Sequence, residues 1–277
     1  MYFYGVLSHF KSSKMYTIMN TNLEAYNFYM NPEVVNNMYA LMITGGNDRF
    51  TENGRLTQGS ERGGNFCYRK HRDKSTIEII GFIQSDLMPG TTSLNSGDFP
   101  FTFHTHPIVI KLGNRVNEPS IDNYPNVMSS EDLIGSIEDN YYYNHQTDRS
   151  LCNKIPSQKI GGINFFDILA VPYGLFVYRP NKEHDIMNKP INLIERECDN
   201  ILLKSTNLMP KYTVSKSMRY FDISTTKSVN AIKKYLVLLR KSGFVVDFFP
   251  WSNATTEGIH FIADIPSQSP IDNICMC

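Results

Sequence analysis

The order of strand-like and helix-like segments constrains the fold of this chain more than any other feature of its sequence. Three segments with β-branched or alternating apolar residues lie in the first half, namely Asn65–Arg69, Ser75–Gln84 and Phe99–His106. A helix-like segment over Ser129–Tyr143 follows them. The two apolar runs of a hairpin then flank a Pro-Tyr-Gly turn within 164–179. This order predicts an α+β or three-layer α/β domain.

Helical spacing of apolar residues flanks this pattern at both ends of the chain. Leu23–Met30 and Pro32–Met42 carry it near the start, where Asn31 is a suitable N-cap before a proline at the first helical position. Ser224–Lys241 carries it near the end. Two strand-like runs follow that last helix, Phe244–Phe249 and Ile259–Ile265.

Charge and composition weaken the case for several classes of function. The chain has 27 basic and 27 acidic side chains, whereas proteins that bind nucleic acid usually carry a basic excess. Its apolar runs are far shorter than the ~20 residues that cross a bilayer, and residues 1–10 lack a signal-peptide pattern. Five cysteines without a CxxC pair indicate neither a disulfide framework nor a zinc knuckle. We therefore expect a cytoplasmic protein with no membrane and no nucleic-acid partner.

The clearest chemistry lies in the sequence Phe-Thr-Phe-His-Thr-His-Pro at 101–107. In a strand, residues i and i+2 project from the same face, so His104 and His106 should lie side by side. Pro107 should end the strand directly after this pair. Two imidazoles and a third ligand can occupy three tetrahedral positions on Zn²⁺ and leave the fourth for water.

A third ligand must come from another element, and Asp132 is the natural carboxylate. It follows Ser129 at the start of the predicted helix, in a turn rich in capping and acidic residues. Each residue also has a simpler explanation. A His-x-His pair by itself is more often structural. Ser129 could simply cap the helix, and Asp132 could simply complement the helix dipole. Glu61, which precedes these residues in the sequence, could be a surface charge. All of them together in this order favour a zinc hydrolase.

Together these residues resemble the signature of the JAMM (MPN+) zinc metalloprotease family. The family has Glu-x-x-Gly before a strand, His-x-His-Pro at a strand end and Ser-x-x-Asp opening a helix. The matching segments here are Glu61–Gly64, His104–Pro107 and Ser129–Asp132. The sequence at 166–178 also resembles the late hairpin of that fold. The resemblance covers roughly residues 20–180 and is not detected beyond about residue 185.

The resemblance implies a fold, a metal and a role for each residue. It implies an MPN-like curved mixed sheet between helices over 1–184, followed by a C-terminal helix-and-strand extension over 185–277. His104, His106 and Asp132 would bind Zn²⁺. Glu61 would act as the general base, and Ser129 would donate a hydrogen bond to the developing oxyanion.

One spacing departs from the family pattern. His106 and Ser129 are 23 positions apart, which is much longer than the family usually has. We interpret Lys111–Val127 as an insertion. Because it has four Asn, Gly113 and two Pro but few apolar residues, we expect a long loop that forms a mobile flap over the metal. Asp122 within it remains an alternative ligand.

The function implied by the resemblance is zinc-dependent hydrolysis of amide or isopeptide bonds. The substrate would be a peptide or a conjugate of ubiquitin or a ubiquitin-like protein. A protein partner could bind at the 111–127 loop or the C-terminal extension. The alternative is a non-catalytic scaffold of the same fold in a larger assembly. The Asn-rich and Ile-rich composition indicates an AT-rich genome, such as that of a microbe or of a large DNA virus. A viral protein would act in the host cytoplasm or the virion.

Overall fold

The structure is a computed structural model of the 277-residue chain. It describes residues 23–47, 49–52, 55–58, 61–71, 75–84, 101–106, 110–112, 119–121, 127–145, 166–181, 183–189, 191–208 and 226–266. The strands within these ranges are β1 (Leu23–Met30), β2 (Arg49–Glu52), β3 (Arg55–Gln58), β4 (Gly63–Lys70), β5 (Thr76–Gln84), β6 (Phe101–Thr105), β7 (Ile110–Leu112), β8 (Pro119–Ile121), β9 (Phe166–Val171), β10 (Gly174–Pro180), β11 (Phe244–Pro250) and β12 (Ile259–Pro266). The α-helices are α1 (Pro32–Asn47), α2 (Ser130–His145), α3 (Ile191–Leu208), α4 (Thr226–Lys241) and α5 (Trp251–Glu257), and a 3₁₀ helix spans Asp185–Asn188.

Eight of the described strands form one mixed sheet in the order β11-β10-β9-β6-β4-β5-β1-β12. β6 pairs in parallel with β9 and antiparallel with β4, so the strand that carries the histidines lies inside the sheet. β1 and β5 form the other parallel pair. The remaining neighbours in the sheet are antiparallel.

The sheet curves around an aromatic core on its inner face. Phe166 on β9 lies 4.9 Å from Phe28 on β1 and 4.7 Å from Phe261 on β12, measured between ring centroids. Because β1 and β12 are four and five positions away from β9 in the strand order, these contacts need strong curvature. α1 and α5 pack on this face, where Trp251 Nε1 donates a 2.8 Å hydrogen bond to the carbonyl oxygen of Val171.

Helices α2, α3 and α4 cover the outer face of β9, β10 and β11 and bury a second core. Leu169 and Phe176 of the strands belong to this core, together with Leu133, Ile201 and Leu239 of the three helices. Burial of apolar surface on both faces stabilises the sheet as the middle layer. The predicted mixed α/β architecture is confirmed, whereas the MPN-like form of the fold stays a prediction.

Most predicted elements are confirmed with small shifts in their ends. The helix predicted over Pro32–Met42 is α1, and Asn31 caps it by accepting a 3.0 Å hydrogen bond from the backbone N–H of Val34. The helices predicted over Ser129–Tyr143 and Ser224–Lys241 are α2 and α4. The predicted hairpin is formed by β9 and β10.

The prediction of a helix over Leu23–Met30 is wrong, because this segment is strand β1. Its buried residues Tyr26, Phe28 and Met30 are two positions apart and alternate with more exposed residues, which is the period of a strand. β1 pairs with β12 on one side and with β5 on the other. This tertiary pairing outweighs the weak helical spacing of so short a segment.

The segment after residue 184 contributes both edge strands of the large sheet. β11 pairs with β10 at one edge, and β12 pairs with β1 at the other. Each edge strand accepts a 2.7 Å hydrogen bond from an arginine at one of its backbone carbonyl oxygens. Arg240 donates to Val246 on β11, and Arg179 donates to Ile262 on β12. The division of the chain at residue 184 stays a prediction, but the predicted extension takes part in the same sheet.

The predicted insertion over Lys111–Val127 contains strand structure that its composition did not indicate. β7 and β8 pair antiparallel, with Ile110 opposite Ile121 and Leu112 opposite Pro119. The expectation of a loop without secondary structure is therefore wrong here, because two short runs with strand-forming residues pair with each other. The predicted mobility of this segment stays a prediction.

The cysteines differ from each other in their bonding. Cys67 on β4 is disulfide-bonded, whereas Cys198 on α3 is free and buried. The cysteine spacing indicated no disulfide framework, and it gave no sign of the bond at Cys67. Spacing along the chain does not show which cysteines the fold brings together.

Candidate metal centre

β6 and the residue directly after it place the two predicted histidine ligands on the outer face of the sheet. Phe101 and Phe103 point into the inner core, so His104, at the alternate position, points to the opposite face. His106 continues the parallel pairing, since its backbone N–H donates a 2.9 Å hydrogen bond to the carbonyl oxygen of Ala170 on β9. The two imidazole rings have centroids 5.2 Å apart. The predicted side-by-side arrangement is confirmed.

The first turn of α2 supplies the carboxylate. Ser129 is the N-cap, and its Oγ accepts a 3.0 Å hydrogen bond from the backbone N–H of Asp132. In return, Asp132 Oδ2 accepts a 2.7 Å hydrogen bond from the backbone N–H of Ser129. This reciprocal pattern is a capping box with aspartate in the acidic position. It satisfies two backbone N–H groups and fixes the direction of the Asp132 carboxylate.

The imidazoles and the carboxylate converge on one point. Ligand atoms of His104, His106 and Asp132 all lie within 4.8 Å of one another. Asp132 Oδ1 is 3.0 Å from His104 Nε2, and Asp132 Oδ2 is 3.3 Å from His106 Nε2. His104 Nε2 is buried, yet among the described residues it makes no hydrogen bond of acceptable geometry despite that short distance. A buried nitrogen that faces a carboxylate without a good hydrogen bond is expected where both atoms are ligands of the same cation. The group could therefore bind a metal ion.

Burial and charge act in opposite directions on the ionisable groups of this site. Burial alone lowers the pKa of His104, but the Asp132 carboxylate beside it outweighs this effect and raises the pKa to about 9. Burial alone raises the pKa of Asp132, but His104 and His106 hold that pKa well below its usual range. Asp132 is therefore ionised at neutral pH, as a ligand to a cation must be.

β4 brings Glu61 to the same end of the sheet. Just beyond the paired part of β4, the carbonyl oxygen of Arg62 accepts a 2.7 Å hydrogen bond from the backbone N–H of Thr105. The backbone N–H of Arg62 donates a 2.9 Å hydrogen bond to Thr105 Oγ1. Glu61 is the next residue, and its Oε1 lies 3.7 Å from His106 Nε2. Burial raises the pKa of the Glu61 carboxyl, an effect that the two imidazoles partly oppose.

Gly64 gives a structural reason for the glycine in the Glu-x-x-Gly sequence. A Cβ atom at this position would overlap the backbone carbonyl oxygen of Ile83 on the neighbouring strand β5. Only glycine therefore lets β4 and β5 pair at this register, where Gly64 lies opposite Gln84. The pairing holds β4 in the position from which Glu61 reaches the histidines.

The structure brings together all five residues singled out in the sequence. They are Glu61, His104, His106, Ser129 and Asp132. Asp122, the alternative ligand, lies outside the described residues. The insertion between His106 and Ser129 therefore does not prevent Asp132 from reaching the histidines.

Two residues near the site were missed by the sequence reasoning. Asp167 on β9 accepts a 3.1 Å hydrogen bond from Thr102 Oγ1, and its charge helps to raise the pKa of His104. The sequence feature that could have indicated Asp167 is a carboxylate within an otherwise apolar strand. Tyr235 on α4 accepts a 3.2 Å hydrogen bond from the backbone N–H of Met128. Its signal was a tyrosine within the apolar stripe of the predicted helix, since a buried tyrosine hydroxyl needs a partner.

Comparison with known protein families, with curated proteins and with solved structures finds no match for this chain. Within the described part of the chain, no helix combines the length and the apolar character needed to cross a membrane. The residues of the site are therefore the basis for assigning a function to this chain.

Proposed function

We propose that this chain is a zinc-dependent hydrolase of amide or isopeptide bonds, with a JAMM-like centre on an MPN-like fold. The observation that carries the proposal is the convergence of His104, His106 and Asp132, with the Glu61 carboxylate 3.7 Å from His106. Three protein ligands with a carboxylate beside them are typical of hydrolytic zinc sites, which keep one position open. The curved sheet with helices on both faces is compatible with the fold that the resemblance implies.

The donor set favours zinc over the harder cations. Imidazole nitrogen is a good ligand for zinc, whereas magnesium and calcium prefer sites made only of oxygen atoms. When bound at such a site, zinc acts as a Lewis acid and lowers the pKa of a bound water to about 7.

Glu61 is the proposed general base. Its carboxylate lies beside His106 but outside the ligand group, and its side chain keeps 24% of its surface exposed. A carboxylate in this position can take a proton from the attacking water and pass it to the leaving amine. Neither step needs Glu61 to bind the metal.

Ser129 is the proposed donor to the oxyanion. Its Oγ accepts the backbone N–H of Asp132, and its own hydroxyl hydrogen has no acceptor among the described residues. The hydroxyl can therefore donate to a negatively charged oxygen that develops near the ligands. The N-terminus of α2 adds a favourable dipole at the same place.

The substrate class and the partners are proposed from the resemblance. We propose a peptide or a conjugate of ubiquitin or a ubiquitin-like protein. A protein partner would bind at the 111–127 segment or at the segment after residue 184. We propose a cytoplasmic location on the same basis.

The test combines metal analysis with a cleavage assay. Protein purified without added metal is assayed for zinc content and then for cleavage of isopeptide-linked conjugates and linear peptides, with and without a chelator. We expect one zinc per chain and chelator-sensitive cleavage, which Glu61→Gln abolishes. Glu131→Gln is the matched control. Glu131 is an exposed acid in the first turn of α2, next to Asp132, and it is not a proposed ligand.

Two outcomes would contradict the proposal. If the zinc-loaded protein cleaves none of these substrates, even with candidate partners present, the non-catalytic scaffold is the better explanation. If chelator-sensitive cleavage survives in Glu61→Gln, the general base is a different residue.

A further inference from the structure

Tyr235 connects the C-terminal helices to the segment that carries the metal centre. It lies on α4 and is completely buried in the outer core, more than a hundred positions after the residue that it contacts. That contact is a 3.2 Å hydrogen bond in which the backbone N–H of Met128 donates to the Tyr235 hydroxyl oxygen. Met128 directly precedes Ser129, the N-cap of α2.

The hydroxyl of Tyr235 lies beside α3 in this core. Ser205 of α3 is also completely buried and lies near enough to Tyr235 to influence its pKa. Ser205 Oγ donates a 2.6 Å hydrogen bond to the carbonyl oxygen of Ile201 in the same helix. The hydrogen bond between Met128 and Tyr235 is therefore enclosed by α3 and α4.

The Met128 N–H and the Tyr235 hydroxyl are both buried, and they are bonded to each other. Burial raises the pKa of Tyr235 well above its usual range, so its hydroxyl stays protonated. Val127 and Met128 are buried on either side of the Met128 N–H. Water therefore does not readily replace a lost partner, and the N–H would be left unsatisfied.

We propose that Tyr235 is a positioning residue for the metal centre. By holding the Met128 N–H against α3 and α4, it fixes the start of α2 and with it the hydroxyl of Ser129 and the carboxylate of Asp132. The segment after residue 184 thus acts on the centre without touching the metal. This inference depends on the metal centre of the proposed function, but not on its substrate.

The experiment compares metal binding in the wild-type chain with binding in Tyr235→Phe, which removes one buried hydroxyl and keeps the ring. Zinc affinity is measured by competition with a chromophoric chelator. The visible spectrum of the cobalt-loaded protein reports the geometry of the ligands. We expect Tyr235→Phe to weaken zinc binding by about 10-fold, the lower limit for loss of a partner that is bonded directly to a ligand, and to change the cobalt spectrum.

The matched control is Tyr26→Phe. Tyr26 is a buried tyrosine of the inner core, close to Lys70 at the end of β4 that is far from Gly63. The substitution removes the same atom, so it should leave zinc affinity and the cobalt spectrum as in the wild type. A purely structural role for Tyr235 would lower thermal stability in both variants and change metal binding in neither.

Each result decides the question. Wild-type affinity and an unchanged cobalt spectrum in Tyr235→Phe would overturn the inference while leaving the proposed metal centre intact. If Tyr235→Phe does not fold, Ser205→Ala, which removes the buried hydroxyl beside Tyr235, decides in the same way. A wild-type chain that binds neither zinc nor cobalt would overturn the proposed function together with this inference.

Discussion

Ser129 and Asp132 each donate a backbone N–H to the side chain of the other, at 2.7 Å from Ser129 and 3.0 Å from Asp132. The same two residues therefore begin α2 and present a hydroxyl and a carboxylate to the histidines of β6. Because the carboxylate is held by the backbone of its own helix turn, its direction is set before any metal binds. Substitutions here should change helix stability and site chemistry by separable amounts.

The first prediction concerns the hydroxyl of Ser129. Ser129→Ala removes the N-cap acceptor, which should lower the free energy of unfolding by about 1 kcal/mol. It also removes the proposed oxyanion donor, which should lower kcat by about 10²-fold to 10³-fold. Ser129→Thr keeps a hydroxyl and should recover most of both losses. Urea unfolding and steady-state kinetics measure the two effects, and a loss of stability without a loss of kcat would leave Ser129 as a cap only.

The second prediction separates the base from the ligands. Glu61→Gln keeps the size of the side chain but cannot accept a proton, so activity should fall by orders of magnitude while zinc remains bound. Elemental analysis beside the cleavage assay checks both parts. Loss of zinc from Glu61→Gln would instead show that the carboxylate is a ligand.

The third prediction concerns the identity of the acidic ligand. Asp132→Asn should lose the metal, because its amide oxygen carries no charge to balance the cation. The double substitution His104→Ala/His106→Ala should lose it as well. Asp122→Asn is the matched control and should keep full zinc content. Loss of metal from Asp122→Asn but not from Asp132→Asn would show that the insertion has been placed wrongly in the sequence.

The fourth prediction is a pH dependence of the metal-free protein. The pKa of His104 in the folded chain, about 9, lies above its usual value. The stability from its pairing with Asp132 should therefore be fully present below about pH 6.5 and lost as the pH rises through about 9. The pKa of Asp132 is lowered in the folded chain. The stability that its ionised carboxylate contributes is therefore lost as the pH falls below about 3.9.

Urea unfolding of chelator-treated protein across about pH 6 to pH 10 measures the part of this dependence that is due to His104. His104→Gln removes the titrating group and should flatten the stability profile above neutral pH. Zinc should also flatten it, because the bound imidazole is already neutral. An equally steep loss of stability in His104→Gln would assign the titration to another group.

The fifth prediction concerns the β7–β8 hairpin, which lies between His106 and Ser129 along the chain. Replacement of Ile110–Ile121 by a short glycine linker leaves the buried Val127 and Met128 in place. If the hairpin belongs to a substrate-binding flap, KM should rise while the zinc dissociation constant stays unchanged. A loss of zinc affinity with unchanged KM would make the hairpin a support for the metal centre instead.

The sequence by itself determined the ligand pair and the turn that faces it. His104 and His106 share a face because strand side chains alternate, and Ser129 with Asp132 forms a capping box because a helix begins there. Both relationships involve residues at most three positions apart, so local backbone geometry is enough to predict them. The strand period also decided the position of Phe101 and Phe103 in the inner core.

Only the tertiary structure decided which distant segments meet. Leu23–Met30 became a strand because β5 and β12 pair with it, a contact that its own weak periodicity could not indicate. Asp132 reaches His104 although an insertion separates them in the sequence, and Tyr235 reaches Met128 from a helix more than a hundred positions away. Such contacts depend on how the sheet curves and on which faces the helices cover, and these follow from packing of the whole chain rather than from any local pattern.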